Sequence, residues 1–321
     1  MAYSINDLCE MLSYQRGSGS RMEQIFIRKY IDSIPGIRAD KYANKFKKIG
    51  SSDTMFTSHT DTVHPFNSNR QKVFVSKNIA HTDGKSVLGA DDGTGVWLML
   101  NMIDARVPGL YIFQRSEESG GVGSSYSSQQ NYSNIKKCIS FDRKGYSDVI
   151  THQGGRTCSD EFADALANRL GATYRPSPYG SFTDSANYSH IIPECTNISI
   201  GYANAHSNNE TQDLGFAQFL LKRLLKIHYE SLPVHRNPSM DTDYSYQSWD
   251  SWSQSGNTWN TWNPPKPKQR KRTKKPKGVY ESYNDKQFLL TSEGWKSVKM
   301  DEFSPKKKKK KYETLGEYTW W

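Results

Sequence analysis

The segment DTMFTSHTDT, residues 53–62, decides the fold. Residues 53–58 form a short run of strand-favouring side chains, and the run ends on His59, with Asp61 two residues later. A histidine and a carboxylate at the exit of a strand are what an open α/β sheet provides, because such sheets bind ligands beyond the carboxyl ends of their strands.

The pattern recurs along the chain. Residues 109–114 (GLYIFQ) read as a strand running into Glu117 and Glu118, residues 138–142 (CISFD) as one ending at Asp142, and residues 195–201 (CTNISIG) as one preceding His206. Further strands are expected over 41–48 and 73–80. Helical patterns lie between them. Residues 4–13 carry Ser4 as N-cap and Asp7 three residues on, a capping box. After a break at Gly17 and Gly19, residues 20–33 carry Met22, Ile25, Ile27, Tyr30 and Ile31 on one stripe. Gly89 to Gly95 is a turn opening a helix whose Val96, Leu98, Met99, Leu100 and Met102 supply a buried face. Residues 159–170 start at Ser159 and stop at Gly171, and a last helix covers about 210–229. The alternation predicts an α/β class, a three-layer αβα domain with a mixed or mainly parallel central sheet.

The 321 residues are uneven in composition. The formal net charge is +10, but 18 of the 43 basic and only 10 of the 33 acidic residues lie in 236–321. The front of the chain is therefore nearly neutral, and the basic balance describes the tail. Seven of the eight tryptophans also lie there, with a Pro/Lys run at 264–277 and six lysines at 306–311, yet few aliphatic residues to build a core around. We expect a catalytic domain over 1–234 and a low-complexity, mostly disordered basic tail over 235–321, with a short ordered element near 280–303. The runs over 264–311 could hold nucleic acid or another polyanion through lysine charge and aromatic stacking, though a solvated, disordered segment is the preferred account, since basic low-complexity tails are common. The four cysteines, Cys9, Cys138, Cys158 and Cys195, form no C-x-x-C pair and read as buried thiols. No apolar run approaches the ~20 residues of a membrane span, and the N-terminus lacks a signal-peptide pattern, so a cytoplasmic protein with no membrane role is expected.

Five short motifs stand in order: S-His59-T-Asp61-T, G-A-Asp91-Asp92-G-T-G, R-S-Glu117-Glu118-S-G-G-V-G, S-F-Asp142-R and N-A-His206-S-N-N-Glu210. Each is weak alone. Together they supply two histidines and enough carboxylates for two divalent ions. Cations ~3.5–4 Å apart need a bridging carboxylate and further acidic neutralisation. Imidazole and carboxylate suit zinc in catalytic sites, with cobalt or manganese as alternatives. A further carboxylate must stand free to move a proton, and two adjacent glutamates can divide these tasks.

The motif order resembles that of the co-catalytic zinc exopeptidases, the superfamily of bacterial leucyl aminopeptidase, tripeptide aminopeptidase (peptidase T) and glutamate carboxypeptidase, over roughly residues 4–230. The resemblance implies hydrolysis of a terminal peptide bond. His59 and Asp142 would bind the first metal, Asp91 would bridge, and Glu118 and His206 would bind the second. Asp61 would orient His59, and Glu117 would be the general base and acid. Only 63 residues separate Asp142 from His206, too few for the lid or dimerisation domain that many relatives insert there. A bare catalytic domain is expected, with no oligomeric state implied.

Direction stays open at this level. Asp184, beside Thr183, could receive a substrate's α-ammonium and favour aminopeptidase action, the preferred reading. Arg143 or Arg156 could instead receive a carboxylate and favour carboxypeptidase or dipeptidase action, and the same machinery would also serve an amide deacylase. Asp92 is expected to hydrogen-bond its own turn, Glu210 and Asp213 to serve the last helix, and His64 and His190 to be core or solvated residues.

Overall fold

The computed structural model describes residues 3–240 and the backbone of three strands between 280 and 298. The first helix, α1 (Ile5–Leu12), starts where its capping box requires: Ser4 accepts from Asp7 N at 3.2 Å, and Asp7 accepts from Ser4 N at 2.6 Å. Helix α2 (Arg21–Phe26) passes into one π-helical stretch over Ile27–Ile31. The strands follow as β1 (Arg38–Ala39), β2 (Lys45–Ile49), β3 (Thr54–His59), β4 (Phe74–Ser76) and β5 (Ile79–His81). Helix α3 (Ala90–Asp104), β6 (Gly109–Gln114), α4 (Val122–Ser127), β7 (Lys137–Arg143) and β8 (Asp148–Ile150) come next. The rest is α5 (Asp160–Leu170), β9 (Arg175–Ser177), β10 (Glu194–Ser199), β11 (Tyr202–Ala203), β12 (Thr211–Asp213) and α6 (Leu214–Leu224).

Eight strands form one mixed sheet in the order β1-β2-β6-β3-β7-β10-β8-β9. Its centre, β6-β3-β7-β10, is parallel, with Thr57 opposite both Ile112 and Ser140 and His59 opposite Gln114. Alternate residues therefore face opposite layers. Phe56, Phe113, Ile139 and Phe141 pack with α1, α3, α5 and α6 into the main core. Met55, Ile112, Cys138 and Cys195 face the other way, into a smaller core closed by Tyr188 and Ile192 near a 3-10 turn, Asp184–Tyr188. A second, antiparallel sheet, β11-β12-β5-β4, flanks the C-terminal rim.

The expected αβα class holds, with local corrections. The segment over 73–80 is a hairpin of two strands, and the strand expected over 41–48 is paired only from Lys45. The last helix starts at Leu214 because 211–213 pair with β5, and Asp213 caps it by accepting from Phe216 N at 2.9 Å. Short β8 and β9 escaped the pattern. The domain continues past residue 234. His235 N and Arg236 N both donate to buried Glu194 Oε1, at 2.7 and 2.9 Å, and Arg236 is itself buried.

Within 280–298 the chain forms a separate antiparallel meander of β13 (Tyr280–Tyr283), β14 (Lys286–Thr291) and β15 (Gly294–Val298), where an ordered element is expected. The disorder and polyanion binding expected of the remaining tail lie outside the described residues. No helix among the described residues is long and apolar enough to cross a membrane.

Candidate metal centre

The exits of β3, β6 and β7 and the entrance of α3 converge at the carboxyl edge of the parallel strands, and the loop between β11 and β12 closes over them. His59 ends β3, and its ring is wholly buried. Its Nδ1 lies 3.0 Å from the carbonyl oxygen of Asp61, which leaves Nε2 facing the centre. There Nε2 stands 3.1 Å from Asp91 Oδ1, 3.8 Å from Asp142 Oδ1 and 4.0 Å from Glu117 Oε2. His206, from the closing loop, brings its Nε2 to 3.1 Å from both Asp91 Oδ2 and Glu118 Oε1. Asp91 thus presents one oxygen to each histidine.

The Asp61 carboxylate faces the glutamate pair. Its oxygens accept from Glu117 N at 3.1 Å and Glu118 N at 3.3 Å, so it fixes the loop after β6, and its oxygen lies 3.7 Å from His59 Nδ1. Asp92, joined to Asp91 by a cis peptide, accepts from His59 N at 3.1 Å and Gly95 N at 3.0 Å, the turn-holding role expected of it.

Several partners were not foreseen. Glu210 does not serve the last helix. It is buried and accepts from Gly89 N and Asp91 N, at 2.7 and 3.0 Å, so it latches the loop that carries Asp91. Asn197 clamps Asp142 by accepting from its N–H at 2.9 Å and donating to its carbonyl at 2.6 Å. Tyr202 donates to Asp142 Oδ1 at 3.1 Å, and the Thr183 hydroxyl donates to Oδ2. In the sequence, Asn197 was visible only as a polar residue inside an apolar strand.

The electrostatics follow from packing acids together away from water. Burial, with Asp142, Asp184 and Glu118 nearby, raises Glu117 well above the usual carboxylate range, against the opposing pull of His59. Asp91 and Glu118 push the His206 imidazole up to about 11. Burial lifts Asp184 to about 7, against the opposing pull of His59 and the Ser124 hydroxyl.

The donor set fits divalent ions. Ligand atoms of His59, Asp91 and Glu118 all lie within 4.8 Å of one another. Glu118 Oε1 is buried, stands 3.1 Å from His206 Nε2 and meets no other donor among the described residues. Two groups so placed point at a common centre, and nitrogen and carboxylate oxygen are the donors zinc takes in catalytic sites. Of the other residues expected at the site, Thr183 contributes through Asp142. Asp184 is buried, with 1% of its surface exposed. Arg143 turns away, donating to Asp148 Oδ2 at 3.1 Å and Tyr179 O at 2.9 Å. His64 is a buried structural residue between Thr62 Oγ1 and Val87 O, and His190 is exposed.

No family model and no curated protein matches this chain. Solved structures do. Aminopeptidase PepT from Bacillus cereus matches with a TM-score of 0.58 at 15% identity, covering 69% of this chain and 96% of that one. A tripeptidase from Staphylococcus aureus matches at 0.53 and 15%, covering 69% and 95%. The TET1 peptidase of Pyrococcus horikoshii matches at 0.55 and 14%, covering 69% and 98%. At such identities the likeness concerns the fold, and it is the fold that the motif order implied.

Proposed function

We propose that this chain is a two-metal exopeptidase that removes residues from the amino end of a peptide. The observation that carries the reading is Asp91, whose two carboxylate oxygens each meet a different histidine at 3.1 Å with Glu117 alongside. His59 and Asp142 would hold one ion, Glu118 and His206 the other, with Asp91 shared. Two divalent ions bound there supply polarisation of the scissile carbonyl and activation of water near neutral pH.

The chain's own groups do the rest. Glu117 is not needed as a ligand, and its raised affinity for a proton suits it to take one from the attacking water and pass it to the leaving amine. Asp61 keeps Glu117 and Glu118 in place through their N–H groups and leaves both side chains free for the centre.

Charge favours the amino end. The ions neutralise the carboxylates of their own cage, and Asp184, buried within electrostatic reach of Glu117 and Asp142, is the acidic group outside that cage left to receive a substrate's ammonium group. The arginines that could meet a substrate carboxylate are engaged, Arg143 by Asp148 and Arg156 by Asp160 at 2.8 Å. The similar structures include an aminopeptidase and a tripeptidase, which supports a peptidase.

Metal analysis of the purified chain, with release of a chromogenic amine from aminoacyl substrates, tests the proposal. About two ions per chain and cleavage only when the amino group is free are expected. Equal cleavage of blocked substrates would remove the aminopeptidase assignment. Absence of both metal and cleavage after supplying zinc, cobalt and manganese would remove the enzyme.

A further inference from the structure

Beneath the metal centre lies a buried ionic cluster that the chemistry above does not use. Glu23, on α2, is fully buried. Its Oε1 accepts from the Thr60 hydroxyl at 2.6 Å and Arg115 Nε at 3.2 Å, and its Oε2 accepts from Gly19 N at 2.7 Å and Arg115 Nη2 at 2.9 Å. Thr60 lies between His59 and Asp61, and Arg115 lies two residues before Glu117. One carboxylate thus ties the exit of β3 to the exit of β6. Arg16, also fully buried, adds a second tie: it donates to Thr60 O at 2.8 Å and to Gly89 O at 3.2 Å, two residues before Asp91, while its guanidinium rests 4.5 Å from the centre of the Phe26 ring.

Stability alone is a poor reason for this arrangement. Burying charges costs several kcal/mol per ion, and well-packed apolar side chains often replace buried ion pairs without loss. Met22 and Phe26, on the same short helix, are buried in that apolar way. Nor is helix capping a sufficient reason. Ser20 already accepts from Glu23 N at 3.1 Å, and the capping contact of Glu23 itself, to Gly19 N, occupies only one of its oxygens. What a hydrocarbon cannot supply is direction. Four hydrogen bonds converging on one fixed carboxylate set where Thr60 and Arg115 stand, and through them the gap between His59 and the Glu117–Glu118 pair.

We propose that Glu23 is a positioning residue of the metal centre, acting through Thr60 and Arg115 to set the spacing between the ligands on β3 and those after β6. This rests on the metal-dependent reading, but its test is read on metal binding and so remains decidable if no peptide is cleaved. Cobalt is titrated into metal-free wild type, Glu23→Gln and Thr60→Val, well below their melting temperatures, and the visible cobalt spectrum is recorded. Both variants should need roughly 10-fold or more metal to reach half-saturation, with an altered cobalt band, the size of effect seen when outer partners of metal ligands are removed. The double variant should be no worse than the weaker single one, since both cut one link. On a cleaved substrate the loss should fall on kcat, with KM changed less. A folded Glu23→Gln chain with wild-type metal midpoint and spectrum overturns the proposal, even if it melts earlier. If that variant does not fold, Thr60→Val, nearly identical in shape, decides alone: an unchanged titration refutes the link.

Discussion

The two histidines of the centre differ in how they are held. His59 ends a central strand, its ring is buried, its Nδ1 is fixed at a backbone carbonyl and its backbone N–H is taken by Asp92. His206 sits on a loop with φ 62, its side chain 51% exposed, and reaches the centre from outside through Nε2. One half is built by the sheet and is in place as soon as the sheet forms. The other is added by a loop whose own packing is slight. An ion on the His59 side should therefore be held by a rigid cage and an ion on the His206 side should exchange more readily, because less of its cage is set before it arrives.

The largest effect is expected between the two halves. Glu117→Gln keeps the shape and removes the proton carrier, so turnover should fall by about 10²–10⁴-fold with metal content intact. Retained turnover would free Glu117 from that role. Next come the histidines themselves. His206→Ala should leave about one ion per chain and a folded protein, whereas His59→Ala should lose both ions, since Asp91 and Asp142 depend on the same buried corner. Equal metal loss in the two variants would erase the contrast between rigid and open halves.

The smallest effect is on stability, and it too belongs to the buried side. Burial, helped by the Arg16 charge, holds His64 neutral down to about 4, with its contact to Val87 O opposing. The unfolded chain protonates near 6.5, so between 6.5 and 4 it binds the extra proton. Stability is therefore fully present above about 6.5 and falls as pH drops through that window, by roughly 3 kcal/mol. Denaturant melts of wild type and His64→Gln at pH 7 and pH 4.5 measure it; a variant as acid-sensitive as wild type would assign the loss elsewhere.

The same contrast explains what was legible beforehand. Strands β3, β6, β7 and β10 and helices α1, α3 and α5 announce themselves because each repeats one apolar pattern over several residues, and their caps, Ser4 and Ser159, are local. Acidic or histidine residues stand at or just past the ends of β3, β6, β7 and β10 and at the entrance of α3, which makes His59, Asp61, Asp91, Glu117, Glu118, Asp142 and His206 visible. The three-residue strands β8 and β9 carry too little pattern to read. The loop strand β12 looked like the start of a helix, because its pairing partner, β5, lies 130 residues away in sequence.

By itself, then, the sequence determined the layers, the order of the motifs and the ligand types, all of which rest on periodicity and composition within short windows. Only the tertiary structure decided what those side chains face. It turned Arg143 toward Asp148 and buried Asp184. It made Glu210 a latch for Asp91 and not part of the last helix, and it brought Glu23 and Arg16 beneath the centre. Apart from Arg143 and Asp148, which are five positions apart, these are contacts between residues 37 to 119 positions apart, and a buried charge takes its partner from whatever the folded chain places beside it, information that no local pattern carries.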